Sequence, residues 1–168
     1  MADASKVKVG VCSVNLGGLD LGHTKGGVEV SYEPVYKDVQ VDQYGETVYD
    51  KVLIGEKWTA KVPLAEKTIA NIRNAIPQGE FAGAANKRMT IGHNSGQSGR
   101  ADAQQLVLHP LAEGTRAYDI VFYKAYAMGT VVLNHKVDEE TIVECEFIAL
   151  IDETKSDGNL LGLIGDST

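Results

Sequence analysis

Two runs in the first half of the chain alternate apolar and polar residues. In the first, Val28, Val30 and Tyr32 face one way and Glu29, Ser31 and Glu33 the other. In the second, Trp58, Ala60 and Val62 oppose Lys57, Thr59 and Lys61. A period of two predicts strands with one buried and one wet face. Between them lies VQVDQYGETVYDKVLI, residues 39–54, too regular for disorder and too polar for core. This stretch predicts a long hairpin arm with its tip at Tyr44-Gly45. Legs of about eight residues reach roughly 25 Å. A two-stranded ribbon of that length is marginal alone in water, so the arm needs a surface that a small domain cannot fully supply.

The rest of the chain follows the same grammar. Residues 6–14 read as a strand with Val7, Val9 and Val11 on one face and Lys6, Lys8 and Cys12 on or near the other. Residues 15–27 are Gly-rich and read as a loop. Pro34, inside the strand expected over 28–38, cannot donate to a ladder and marks an edge, a bulge or a bend. The return strand covers 55–64. A helix is expected over 65–76, with Ile69, Ile72 and Ile76 on its buried face and Pro77 stopping it. Loops at 78–87 and 94–102 flank a short strand at 88–91, and another strand covers 103–109. A long strand at 119–128 places Ile120, Phe122 and Tyr126 on one face, and 130–136 continues after a corner at Gly129. Over 140–151, Val143, Cys145, Phe147 and Ala149 oppose Glu144 and Glu146. The end, about 152–168, reads as an extension that docks elsewhere. The expected fold is mostly β within a single domain, 1–168. It has two packed antiparallel sheets, a β-sandwich or distorted barrel, with one flanking α-helix and a long protruding β-hairpin arm.

Composition narrows the class. The chain has 168 residues, 43% of them apolar, enough for a substantial core. Its formal net charge of −7 argues against a general nucleic-acid or anionic-membrane binder. No apolar run approaches the roughly 20 residues that cross a bilayer. The start, MADASKVKV, lacks the apolar stretch of a signal peptide, so synthesis in a cytoplasm is expected. The two cysteines, Cys12 and Cys145, form no CxxC pair and read as small buried hydrophobes. A disulfide between them is left open, disfavoured in a reducing compartment.

Candidate chemistry is sparse. His23, His93, His109 and His135 have no metal-ligand spacing. Ser95, His93 and Asp102 could be drawn as a triad, but GHNSG is not the nucleophile elbow. Gly17-Gly18 and Gly26-Gly27 precede a strand rather than a helix, so they cradle no phosphate. Glu139, Glu140, Glu144 and Glu146 read as a solvated strand face, and Trp58 as core or interface. No catalytic, cofactor-binding or metal-ligating residue is assigned, and no cofactor is expected. What remains is a chain with open strand edges, which natural proteins either guard or use for ordered pairing.

The segment GLDLGHTKGGVEVSYEPVYKDVQVDQYGETVYDKVLIGEKWTAKVPLAEKTIANI resembles the tail tube (major tail) proteins of tailed bacteriophages. The similarity is greatest over about 18–77, and the later strand pattern is compatible to about 152. The resemblance implies a non-enzymatic virion protein of the phage tail, made and assembled in the host cytoplasm. Six subunits close into a ring with a β-barrel inner wall, and rings stack through the arm into a tube. The implied partners are further copies of the chain, the tape-measure protein held in the tube, tail-tip or baseplate and terminator proteins, and in some tails a sheath. DNA passes through without specific binding, and no membrane is involved. Residues expected at the inter-ring contact are Val41, Tyr44, Glu46, Val48 and Tyr49, with Asp42 and Asp50 available for rim ion pairs. The candidate lumen face is Glu29, Ser31, Glu33, Lys57, Thr59 and Lys61.

Six copies at −7 would give a ring a formal charge of −42. A negative wall repels phosphates, where a basic wall would hold DNA through counterion release. Screening confines the effect to about 8 Å, so only wall-facing charge counts. Two other classes remain open. One is a β-sandwich binding or adhesin module of a virion or secretion apparatus; the other is an enzyme whose site is assembled from distant residues. Electron microscopy of the purified protein separates a tube protein from the first.

Overall fold

The computed structural model of the chain describes residues 10–82, 88–93, 95–133 and 141–166. The strands are β1 (Cys12–Leu16), β2 (Leu19–Asp20), β3 (Glu29–Gln40), β4 (Val48–Leu64), β5 (Glu80–Ala82), β6 (Arg88–Thr90), β7 (Gln104–Pro110), β8 (Ile120–Met128), β9 (Val143–Leu150) and β10 (Gly162–Ile164). One α-helix, α1 (Ile69–Ala75), follows β4. The fold is mostly β, as the alternation predicts. Seven strands form one antiparallel sheet in the order β2-β1-β7-β8-β9-β4-β3, with β10 added to β8, while β5 and β6 form a separate pair.

The core shows why a single sheet makes two layers. Ala60, Val62 and Leu64 of β4 point inward beside Val143, Cys145 and Phe147 of β9. Leu106 and Leu108 of β7, with Val14 and Leu16 of β1, join the same cluster. Val28 and Val30, at the opposite margin of the sheet, also pack on it. Both margins contribute to one core, so the twisted sheet folds over on itself in a sandwich-like arrangement. Trp58 closes one end of the cluster, its ring 4.6 Å from that of Phe122.

Several expectations are corrected. In β1 the inward face is Cys12, Val14 and Leu16, and Val11 is 58% exposed. Residues 6–9 lie outside the described residues. The expected loop at 15–27 contains the end of β1 and all of β2. Gly17 and Gly18 have φ of +58° and +89°, and Leu16 pairs with Leu19. A two-residue turn with both φ positive matches the right-handed twist of a hairpin, and glycine adopts it freely. In β8 the pairing with β7 slips between Gln104 and Leu106. Phe122 therefore faces inward, but beyond the slip Ala125 and Ala127 take the inward positions. Tyr126 turns to the other face, where its hydroxyl accepts from Gln78 Nε2. Of the strand expected over 130–136, the described part makes one bridge, Leu133 to Val143, and the remainder lies outside the described residues. Residues 83–87, His135, Glu139 and Glu140 lie outside them as well.

The helix is shorter than its apolar spacing suggests. Thr68 is its N-cap, the side chain accepting from Asn71 N at 3.1 Å, so 65–68 stay outside the helix, and Ala65 N donates back to His23 O in the β2–β3 loop. Asn71 and Ala75 are the buried pair, while Ile69, Ile72 and Ile76 are half-buried. Asn71 Nδ2 donates to Leu21 O at 3.0 Å and Glu66 O at 2.9 Å. The helix is therefore latched to the neighbouring loop by an amide, while Ile72 and Ile76 pack on the core from half-buried positions.

The C-terminal segment docks on its own chain. β9 and β10 both run antiparallel to β8, β9 along 124–128 and β10 along 120–122. The intervening excursion is closed at its neck by Asp152 N donating to Leu160 O at 2.8 Å. A Cβ on Gly162 would stand 2.1 Å from Val121 O and 2.9 Å from Trp58, so only glycine permits β10 this close to the core.

Candidate assembly surface

The arm grows from the two longest strands. β3 pairs with β4 from Glu29↔Lys61 to Gln40↔Val48. β9 accompanies β4 only over Thr59–Leu64. Beyond Trp58 the hairpin has no third strand among the described residues and extends about 30 Å from the sheet. The free ribbon is thus longer than the 39–54 arm and begins at Tyr32 and Trp58. Residues 48–64 are one continuous strand rather than an arm leg followed by a return strand. β3 is the sheet's edge, which accommodates Pro34. A 3-10 turn at Asp42–Tyr44 reverses the chain.

Two bulges break the alternation. The register slips between Val35 and Tyr36, leaving Ile54 without a partner, and between Val39 and Gln40, leaving Tyr49 without one. A bulge re-aims a side chain and bends the strand that carries it. Ile54 and Tyr49 are 62% and 67% exposed. Tyr44 at the turn is also exposed, and its ring stacks with that of Tyr49 at a 6.1 Å centroid distance. Val48 and Glu46 are exposed and Val41 is half-buried, so the expected inter-ring residues gather around the turn. Tyr32, which the alternation aligns with the buried valines, is exposed because β3 has already left the core there. Its hydroxyl donates to Glu56 at 2.6 Å. Tyr36, Leu53 and Ile54 are further exposed apolar residues, which the period-two reading did not single out. Positions beside a bulge carry no local signal, since pairing register is not written in either strand alone.

The six candidate lumen residues are brought together. Glu29 stands opposite Lys61, Ser31 opposite Thr59, and Glu33 opposite Lys57. Lys57 Nζ lies 3.7 Å from Glu33 Oε2. Glu146, the other neighbour of Lys61, extends the charged row onto β9. Thr59 is corrected from wet to buried, at 6% exposure. It sits mid-row between Ser31 and Ile148, whose side chains flank its small one.

Elsewhere, titratable groups tie the fold together. His23 Nδ1 lies 2.7 Å from Glu66 Oε1. That hydrogen bond and the opposite charge raise the His23 pKa and lower that of Glu66. His109 Nδ1 lies 2.5 Å from buried Asp119 Oδ1, joining the end of β7 to the start of β8. Ser95, His93 and Asp102 are exposed, and Asp102 accepts from Gln97 instead. Both cysteines are free thiols. Cys12 is half-buried rather than buried, and burial pushes the Cys145 thiol up to about 12. Among the described residues no group of three His, Cys, Asp or Glu side chains could hold a metal ion. None of the helices among them is long and apolar enough to cross a membrane. Surface cavities are small; one of about 420 Å³ lies at the foot of the arm, between Tyr32, Trp58 and the β10 segment.

Compared with models of protein families and with curated proteins, the chain matches none.

Proposed function

We propose that this chain is a non-enzymatic structural subunit of a tailed-phage tail tube. Six copies close into a ring, and stacked rings form a conduit that holds the tape-measure protein and passes DNA during ejection. The observation that carries this reading is the two-stranded ribbon: long, apolar on exposed positions, and without a supporting strand among the described residues. Exposed apolar surface of this extent marks an interaction site. The open β3 edge offers main-chain groups for pairing between subunits. The tube end would meet terminator and tail-tip or baseplate proteins, with a sheath outside in contractile tails. The mixed-sign row of Glu29, Glu33, Lys57 and Lys61 suits a wall that neither grips nor strongly repels a passing polyanion. Its place is the virion tail, after assembly in the host cytoplasm.

The test is excision of the arm. Replacing residues 40–51 by a short Gly-Ser turn removes mostly exposed side chains, so the subunit should remain folded by circular dichroism. Electron microscopy should then show rings or smaller species without long tubes. Tubes of normal length from the shortened chain would refute the arm's role in stacking, and compact monomers from the intact chain at high concentration would refute the tube itself.

A further inference from the structure

The cavity of about 420 Å³ at the foot of the arm has two unlike walls. One is the base of the hairpin. Tyr32 and Trp58 are directly paired across β3 and β4, and Glu56 lies two residues from Trp58, so all three share one face of the ribbon. The Tyr32 hydroxyl donates to Glu56 Oε1 at 2.6 Å, which holds the phenol and the carboxylate side by side. The other wall is the segment leading into β10, with Leu160, Leu161 and Ile164. That wall is preformed. Asp152 N donates to Leu160 O, the Tyr123 hydroxyl donates to Asn159 Oδ1 at 2.8 Å, and β10 is laddered to β8. Trp58, buried with its ring against Phe122, closes the floor.

The lining carries one sign of charge. Among the described residues Glu56 is its single charged side chain, beside two aromatic rings, three aliphatic side chains, two glycines and the Asn159 amide. An entering anion would meet that carboxylate, and a purely apolar molecule would cover it without pairing it. A cation pairs with it, since a carboxylate has a second oxygen that accepts beside the one Tyr32 uses. Tyrosine and tryptophan attract a cation further through their electron-rich faces. An aliphatic stem behind the charge would lie along Leu160, Leu161 and Ile164, whose side chains hold no polar atom. A cavity of this volume suits a small molecule. We propose that this corner binds a small organic cation, an ammonium head on an aliphatic stem, with the head at Glu56 beside Tyr32 and Trp58 and the stem against the β10 segment. Every residue of the site belongs to one subunit, so it stands independently of the tube.

Trp58 is the sole tryptophan of the chain, so its fluorescence reports on the cavity directly. The full chain is titrated with hexylammonium, with hexanol as the uncharged counterpart and ethylammonium as the short-stemmed one, and each titration is repeated by calorimetry. Hexylammonium should bind with a roughly millimolar constant, as for a ligand of few atoms. Hexanol and ethylammonium should each bind at least about tenfold more weakly. Glu56→Gln removes the charge at an exposed position and keeps an acceptor for Tyr32. It should weaken hexylammonium by about tenfold and leave hexanol unchanged. Glu80→Gln, exposed on the separate β5–β6 pair, removes the same charge elsewhere and should change neither. Should Glu56→Gln lower the melting temperature, the comparison of hexylammonium with hexanol on the wild-type chain decides alone. The site is overturned by a Trp58 signal that does not respond to hexylammonium, by equal binding of hexanol, or by a Glu56→Gln chain that loses no more affinity than Glu80→Gln. That last result would leave only the diffuse attraction of an acidic surface for cations. None of these outcomes bears on whether the chain forms rings or tubes.

Discussion

Replacing Asn71 by leucine tests the latch between α1 and the β2–β3 loop. The side chain is only 4% exposed and both its Nδ2 hydrogens are used. Leucine matches the four side-chain heavy atoms of asparagine but is the bulkier residue, so crowding at this buried position adds to the loss of hydrogen bonding. The carbonyl of Leu21 sits in a buried bond and would lose its partner where water does not reach, costing about 1–3 kcal/mol. The carbonyl of Glu66 is part-buried and can turn to water, so its loss costs about 0.5–1.5 kcal/mol. Some of this is offset by apolar burial of the leucine, of order 1 kcal/mol. The expected net destabilisation is about 1–3 kcal/mol, or a fall in melting temperature of about 3–10 °C for a domain of this size. Urea unfolding followed by circular dichroism measures it, with an unchanged slope expected because the surface exposed on unfolding is the same. The Asn71 side chain also sits three residues after its cap, so Thr68→Ala provides a second reading of the same turn, at about 1 kcal/mol. A stability for Asn71→Leu within about 0.5 kcal/mol of wild type would refute the latch and return the helix to its isoleucines.

Two further outcomes follow from the titratable groups. His23 gains Glu66, so its pKa is raised and its share of stability is full below the unfolded value and lost as pH rises through the folded one. Glu66 is lowered, so its share is present above the unfolded value and lost as pH falls through the folded one. The pair therefore acts in the window between them; proton NMR should show the His23 ring titrating above about 6.5, and Glu66→Gln should bring it down. A ring that titrates at the same pH in both proteins would show the contact is not made in solution. For Cys145, a thiol held near 12 has only about one part in ten thousand as reactive thiolate at pH 8. A maleimide should label it only after denaturation, and mass spectrometry showing prompt native labelling at Cys145 would contradict its burial.

The alternation of 143–149 by itself determined a strand whose inward residues are Val143, Cys145, Phe147 and Ala149, and the structure places all four in the core. The same holds for Ala60 and Val62 of β4. Alternation works there because a strand's two faces depend only on its own backbone, and both strands are central, paired on each side. The long hairpin was legible for a related reason: a polar excursion between two amphipathic strands has few other solutions. Where the reading failed, pairing between distant segments decided. Tyr126 and Tyr32 both sit at in-phase positions, yet a slip against β7 turns one out and the end of β9's cover exposes the other. Ile54 and Tyr49 are re-aimed by bulges whose register belongs to the ladder and not to either strand. Thr59 is buried by neighbours 28 residues before and 89 after it in the chain. The helix lost its first four residues to a cap, and its buried face passed to Asn71 and Ala75, because the buried amide finds carbonyls supplied by the folded loop. Local periodicity thus determined which face of a central strand is apolar. Only the tertiary structure decided where each strand leaves the core, and therefore which apolar residues the arm presents to another molecule.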